Sequence, residues 1–150
     1  MSRLQIIDST TITLFSNLIF KGAGRHPKSG KKKGGIKVHV NIHANESVPS
    51  DVRFTSAATN DSFMLMPTNY DSGDILAMDR AYINYAKFEE LTRRGVIYVT
   101  KMKKNLVYEI VEDMMYVSPD GLVEYRVQQV IFRKKVKDGE DIVHNARIIT

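Results

Sequence analysis

The run Gly73-Asp74-Ile75-Leu76-Ala77-Met78-Asp79-Arg80-Ala81-Tyr82 decides how the rest of the chain is read. Gly73-Asp74 is a turn signal, and the four apolar residues after it form a short strand that runs into a carboxylate. Asn84 to Gly95 then has the pattern of an amphipathic helix ended by glycine, with Tyr85, Phe88 and Leu91 spaced as a buried stripe. Val96-Ile97-Tyr98-Val99-Thr100 supplies a second apolar strand. Strand, helix and strand in that order make a βαβ unit with parallel strands. Sheets of this kind collect their sites beyond the strand ends, so Asp79 stands where chemistry is expected. Near the amino terminus, Leu4-Gln5-Ile6-Ile7-Asp8-Ser9-Thr10 has the same form: an apolar strand, read as buried at the centre of a sheet, that delivers one Asp.

The chain has 150 residues, enough for one compact domain with a real core. There is no cysteine, which removes disulfides, thiolate metal sites and cysteine nucleophiles together. No apolar run approaches the ~20 residues of a membrane span, and a short strand rather than a signal peptide follows Met1. These features fit a soluble protein of a reducing cytoplasm.

The formal net charge of +5 is unevenly placed. Residues 9–45 hold no Asp or Glu, yet they carry Lys21, Arg25, Lys28, Lys31, Lys32, Lys33 and Lys37. That one segment accounts for the whole basic excess. A concentrated patch attracts a polyanion, most commonly nucleic acid, though a solvated loop would carry the same charge for solubility alone. The Lys21–Gly35 stretch, rich in glycine and lysine, reads as a loop. It is not a phosphate loop, because five residues rather than four separate Gly24 from Gly30-Lys31 and Lys32 replaces the Ser or Thr that would bind magnesium.

Ile36-Lys37-Val38-His39-Val40-Asn41-Ile42-His43 alternates, which predicts a strand whose wet face bears Lys37, His39, Asn41 and His43. His39 and His43 are separated by four steps of ~3.3 Å on a strand, too far for easy chelation of one ion, so a polar face near DNA is the favoured reading. Val48 to Thr55 follows as a third antiparallel strand, with Pro49 at its start. Asn60 to Pro67 predicts a short helix capped by Asn60 or Asp61, which makes Asp61 a cap rather than a catalytic acid. After a second, smaller basic group at Lys101, Lys103 and Lys104, three segments alternate with Ser118-Pro119-Asp120-Gly121 and Lys137-Asp138-Gly139-Glu140. They predict an antiparallel meander over 106–150, with Val123, Tyr125, Val127 and Ile131 sharing one face.

Two strand-borne carboxylates suit a hard divalent cation, which offsets their desolvation. Paired ions between two such acids can drive in-line attack on a phosphodiester. Taken singly, Asp8 and Asp79 are better read as turn caps, Asp79 at the helix after it; taken together, beside the basic segment, the pair favours nucleic-acid chemistry.

The runs Ile7-Asp8-Ser9-Thr10, Gly35-Ile36-Lys37-Val38-His39, Asn60-Asp61, Met78-Asp79-Arg80-Ala81-Tyr82 and Lys101-Met102-Lys103-Lys104-Asn105 together resemble the catalytic core of bacterial insertion-sequence DDE transposases. The likeness spans nearly all of the chain and is closest to the branch with a β-rich insertion before the third acid. It implies an α/β fold, with an RNase H-like core (a mixed sheet with flanking helices) over 1–105 and the meander as a β-rich insertion over 106–150, packed on the core or extending it. It also implies two Mg²⁺ or Mn²⁺ ions, with Asp8 as the first acid and Asp79 as the second, and the cutting and joining of transposon DNA ends with target DNA. DNA-contacting residues would be Lys31, Lys32, Lys33, Lys37, His39 and Arg80, in a protein of the cytoplasm and nucleoid, able to pair as a homodimer on DNA and without membrane attachment.

Two departures accompany the likeness. The family's third acid, a glutamate on a helix with spaced Tyr, Arg, Glu and Lys, follows the insertion, and the chain stops at Thr150 before any such helix; Glu124 and Glu140 lack that pattern. The usual amino-terminal DNA-end-binding region is missing as well, so the expectation is a fragment or remnant of a transposase. Two rivals stay open: a non-catalytic DNA-binding remnant acting by charge alone, and an RNase H-like nuclease that draws its third acid from within the chain, with Asp61 the candidate.

Overall fold

A computed structural model describes residues 3–13, 35–46, 48–137 and 139–150. The basic loop and its Lys31, Lys32 and Lys33 lie outside the described residues. The described residues form eight strands and one α-helix: β1 (Leu4–Thr13), β2 (Gly35–His43), β3 (Val48–Ser56), β4 (Ile75–Met78), α1 (Tyr85–Arg93), β5 (Ile97–Thr100), β6 (Glu109–Val117), β7 (Glu124–Lys134) and β8 (Ile142–Ile149). Short 3₁₀ turns at Asp61–Met64, Pro67–Asn69 and Arg80–Tyr82 complete the connections. Among the described residues no helix is long and apolar enough to cross a membrane.

The first five strands form one mixed sheet in the order β3-β2-β1-β4-β5. β1 pairs antiparallel with β2 and parallel with β4, and β4 pairs parallel with β5. The β4–α1–β5 crossover is the expected βαβ unit. Asn84 caps α1 by accepting from the Lys87 amide at 3.3 Å, and Gly95, with φ of 75°, turns the chain out of the helix where a side chain would be strained. One face of the sheet packs against α1 and the 3₁₀ turns. Ile7, Leu65, Tyr70, Leu76, Met78, Tyr82, Phe88, Leu91 and Val96 form the core there. On the helix surface Glu89 pairs with Arg93 at 3.4 Å, whereas Arg94 donates to the Tyr70 carbonyl at 3.2 Å.

The last three strands form a separate antiparallel sheet in the order β6-β7-β8. It is attached through aromatic contacts. Phe132 of β7 stacks on Tyr85 with ring centroids 5.0 Å apart. His144 of β8 is fully buried and bonds both Tyr98 and, through Nδ1 at 3.0 Å, Glu89. The attached face is therefore that of Val130 and Phe132; Val127 and Ile131 of the expected stripe lie on the other.

Two sequence expectations are corrected by which faces are covered. β1 is central in the sheet, but only Gln5 and Ile7 are buried, whereas Leu4 and Ile6 on the opposite face remain exposed. That face continues as Val52, Phe54, Ile97 and Val99, all exposed, with Phe54 at 69%. β2 is inverted in the same sense. Its Lys37 and His39, expected on a wet face near DNA, are 9% and 3% exposed. They are buried because each finds polar partners inside, as described next, so desolvation does not forbid it.

Candidate functional site

The site is built by the register between β1 and β4. Asp74, just before β4, is 2% exposed and accepts from Gln5 Nε2 at 2.8 Å, from Arg3 Nε at 3.4 Å and from the Asp71 amide at 3.1 Å. Burial alone would raise its pKa. The Asp71 amide, the Arg3 charge and the Gln5 amide outweigh that, and hold the carboxyl below its ordinary range. This carboxylate pins the start of β4 to β1 so that Leu4, Gln5, Ile6 and Ile7 face Ile75, Leu76, Ala77 and Met78.

The next residues in that register are Asp8 and Asp79. Neighbouring strands lie ~4.8 Å apart; alternation along β1 puts the Asp8 side chain on the face of Ile6, away from the core, and Asp79 follows the last residue of β4 in extended conformation. Both residues are exposed. Asp8 Oδ1 accepts from the Ser9 amide at 2.7 Å, and Asp79 Oδ1 caps the 3₁₀ turn after it by accepting from the Ala81 amide at 2.9 Å. Among the described residues neither carboxylate has a Lys, Arg or His partner at ion-pair distance, so each keeps lone pairs toward solvent. Met78 pairs with Thr100 on the far side, which continues the row with Lys101. Arg80, Lys101, Lys103 and Lys104 are all exposed at this end of the sheet.

Beneath the row, on the covered face, lies a polar cluster that sequence reading does not anticipate. Lys37 Nζ approaches Asp61 Oδ1 at 3.1 Å and donates to the Thr59 carbonyl at 2.9 Å. Ser9 Oγ donates to the same Asp61 oxygen at 2.9 Å. His39 spans the cluster, with Nδ1 3.2 Å from the Tyr82 hydroxyl and Nε2 2.9 Å from Thr55 Oγ1. Burial lowers the His39 pKa, opposed by the Asp61 charge and assisted by Lys37. Burial likewise pushes the Tyr82 hydroxyl well above the ordinary phenol range. The available signal for this cluster is the spacing of Lys37 and His39 on one strand face; the long-range partners at 61 and 82 have no local signature.

A cation fits the exposed pair by the chemistry of its donors. Mg²⁺ is typically held by one or two carboxylates while keeping several waters and substrate phosphates. Among the described residues no group of three or more His, Asp or Glu could hold a metal. Asp61 does not join Asp8, because Ser9, its partner, points through the opposite face of β1. Glu124 begins β7, in the second sheet, and Glu140 lies in the connection between β7 and β8.

A search of curated proteins finds no match. A family model for the transposase DDE domain matches residues 1–146, spanning both sheets. The chain belongs to the transposase DDE domain family.

Proposed function

We propose that Asp8 and Asp79 are the first two acids of a metal-dependent centre that cuts and joins DNA in transposition, on an RNase H-like core. The observation that supports this is the parallel pairing of Ile7 with Met78, the residues that immediately precede the two exposed aspartates. The strand order β3-β2-β1-β4-β5, with three antiparallel strands followed by two parallel ones, supports the core assignment. The β6–β8 sheet is then the insertion of the β-rich branch.

Asp8 and Asp79 would hold Mg²⁺ or Mn²⁺, two ions in a complete site, which supply a nucleophilic oxygen at neutral pH and neutralise the leaving 3′ oxygen. The protein's own part is to fix the two carboxylates and to bring a phosphate to them. Arg80 and Lys101, exposed beside the pair, supply positive charge for a DNA backbone without reading its sequence. Lys31, Lys32 and Lys33 would add to that charge. Two carboxylates without a third acid bind metal weakly and give little or no strand transfer.

Calorimetric titration with Mn²⁺, of the chain and of its Asp8→Asn/Asp79→Asn variant, tests the assignment. Loss of binding in the variant is expected; unchanged binding removes it. A non-catalytic DNA-binding remnant would instead show DNA affinity that survives loss of both aspartates and falls steeply with salt. The nuclease alternative with Asp61 as third acid is disfavoured by the engagement of Asp61 with Lys37 and Ser9 on the opposite face.

A further inference from the structure

The Lys37–Asp61 pair is costly where it stands. Its side chains are 11% and 14% exposed, and a buried ion pair often stabilises a fold no better than apolar residues of similar size. Its attachments give it a different use. Ser9, which donates to Asp61, immediately follows Asp8. Tyr82, fully buried, belongs to the 3₁₀ turn that Asp79 caps, and its hydroxyl meets His39, whose Nδ1 lies 3.7 Å from Asp61 Oδ1. Each acid-bearing segment thus hangs one neighbour on the same buried carboxylate cluster.

Asp61 is itself held rigidly. Lys87 of α1 donates to the carbonyls of Ser62 and Leu65, both at 2.6 Å, and of Phe63 at 3.2 Å, which clamps the turn that begins at Asp61. Lys37 neutralises the carboxylate from β2 and ties down the Thr59 carbonyl that leads into the turn. We propose that the Lys37–Asp61 pair is a positioning device that sets Asp8 against Asp79 from beneath the sheet. This rests on the reading of Asp8 and Asp79 as a cation-binding pair. Lys37 and Asp61 touch no cation; they act through Ser9 on one acid and through His39 and Tyr82 on the other. Supports of this outer kind commonly change metal affinity by about 10–100-fold when removed.

The test is Mn²⁺ binding to the full chain, followed by electron paramagnetic resonance of the free ion and paired with a thermal melt of every variant. Replacing the pair by apolar residues of similar size, Lys37→Met/Asp61→Leu, should leave Tm nearly unchanged and weaken Mn²⁺ binding about tenfold or more. Ser9→Ala, which leaves the ion pair in place and removes one tether, should weaken it in the same direction, and it decides alone if the double variant does not fold. Mn²⁺ affinity that stays within about twofold in these variants overturns the positioning role even where Asp8→Asn/Asp79→Asn abolishes binding. If Asp8→Asn/Asp79→Asn binds Mn²⁺ like the parent chain, the cation site itself falls, and the positioning role falls with it.

Discussion

Ile7 of β1 lies opposite Met78 of β4 in parallel register, and the residues that follow them are Asp8 and Asp79. A long stretch of chain separates the two acids, yet the residues just before them are paired on adjacent strands. A strand pair does this cheaply, because its hydrogen-bond ladder fixes every residue along it once the first pair is set. The ladder is set by Asp74, which ties Gln5 and Arg3 to the start of β4.

The two acids should therefore be coupled. Asp8→Asn and Asp79→Asn are each expected to weaken Mn²⁺ binding by about tenfold or more, and combining them should add little, since a shared ion is lost with the first. Calorimetry on the two single variants and the double variant checks this. Fully additive losses would mean two separate weak sites.

Asp74→Ala should destabilise the fold by about 1–3 kcal/mol, because it strands the buried Gln5 amide. Urea unfolding should show a lower midpoint with an unchanged slope. Asp74→Asn, which keeps an acceptor oxygen, should cost less.

Stability should fall as the solution is acidified through the histidine range. Burial keeps the His39 pKa below its ordinary value of 6.5, so near that pH the unfolded chain takes up a proton that the folded chain refuses. The His39 contribution is complete above this range and is lost as pH drops through it. Tm measured between about pH 7.5 and 5.5 should decline, and His39→Gln should flatten the decline. Below that, Asp113, held down to about 2 chiefly by hydrogen bonding from Arg126, adds a second loss as pH falls through the carboxylate range.

DNA binding should follow exposed charge rather than charge as such. Substituting Lys101, Lys103 or Lys104 by Gln is expected to reduce the slope of log affinity against log salt by about 0.9 for each DNA phosphate that is no longer neutralised. The same change at Lys37, whose ammonium is committed to Asp61, should leave the slope unchanged. A fluorescence-anisotropy salt series on duplex DNA measures both.

The β4–α1–β5 unit is legible in the sequence because its signals are local: an apolar run, a capping Asn84, a stripe at helical spacing and Gly95. The meander is legible for the same reason, through Pro119-Asp120-Gly121 and the alternation on either side. Which face of a strand is covered is not local. Ile36-Lys37-Val38-His39 has the period of a strand on either assignment, and only the distant Asp61, Thr55 and Tyr82 decide that its polar side turns inward. Asp8 and Asp79 stand out because each ends an apolar run. Asp61, Asp74 and Ser9 do not, since capping and turn residues are common and their partners lie 69, 71 or 52 positions away, as in Gln5–Asp74, Arg3–Asp74 and Ser9–Asp61. The attachment of the second sheet is equally nonlocal, as His144 meets Glu89 across 55 positions.

Iron-directed cleavage tests most directly whether Asp8 and Asp79 share a cation. Fe²⁺ replacing Mg²⁺, with ascorbate and peroxide, releases hydroxyl radicals that cut the backbone only near the bound ion. Cuts around both position 8 and position 79, suppressed together by excess Mg²⁺ and absent from Asp8→Asn/Asp79→Asn, are the expected result. Cuts at one of the two positions alone, or at sites elsewhere that persist in the variant, would contradict a shared site.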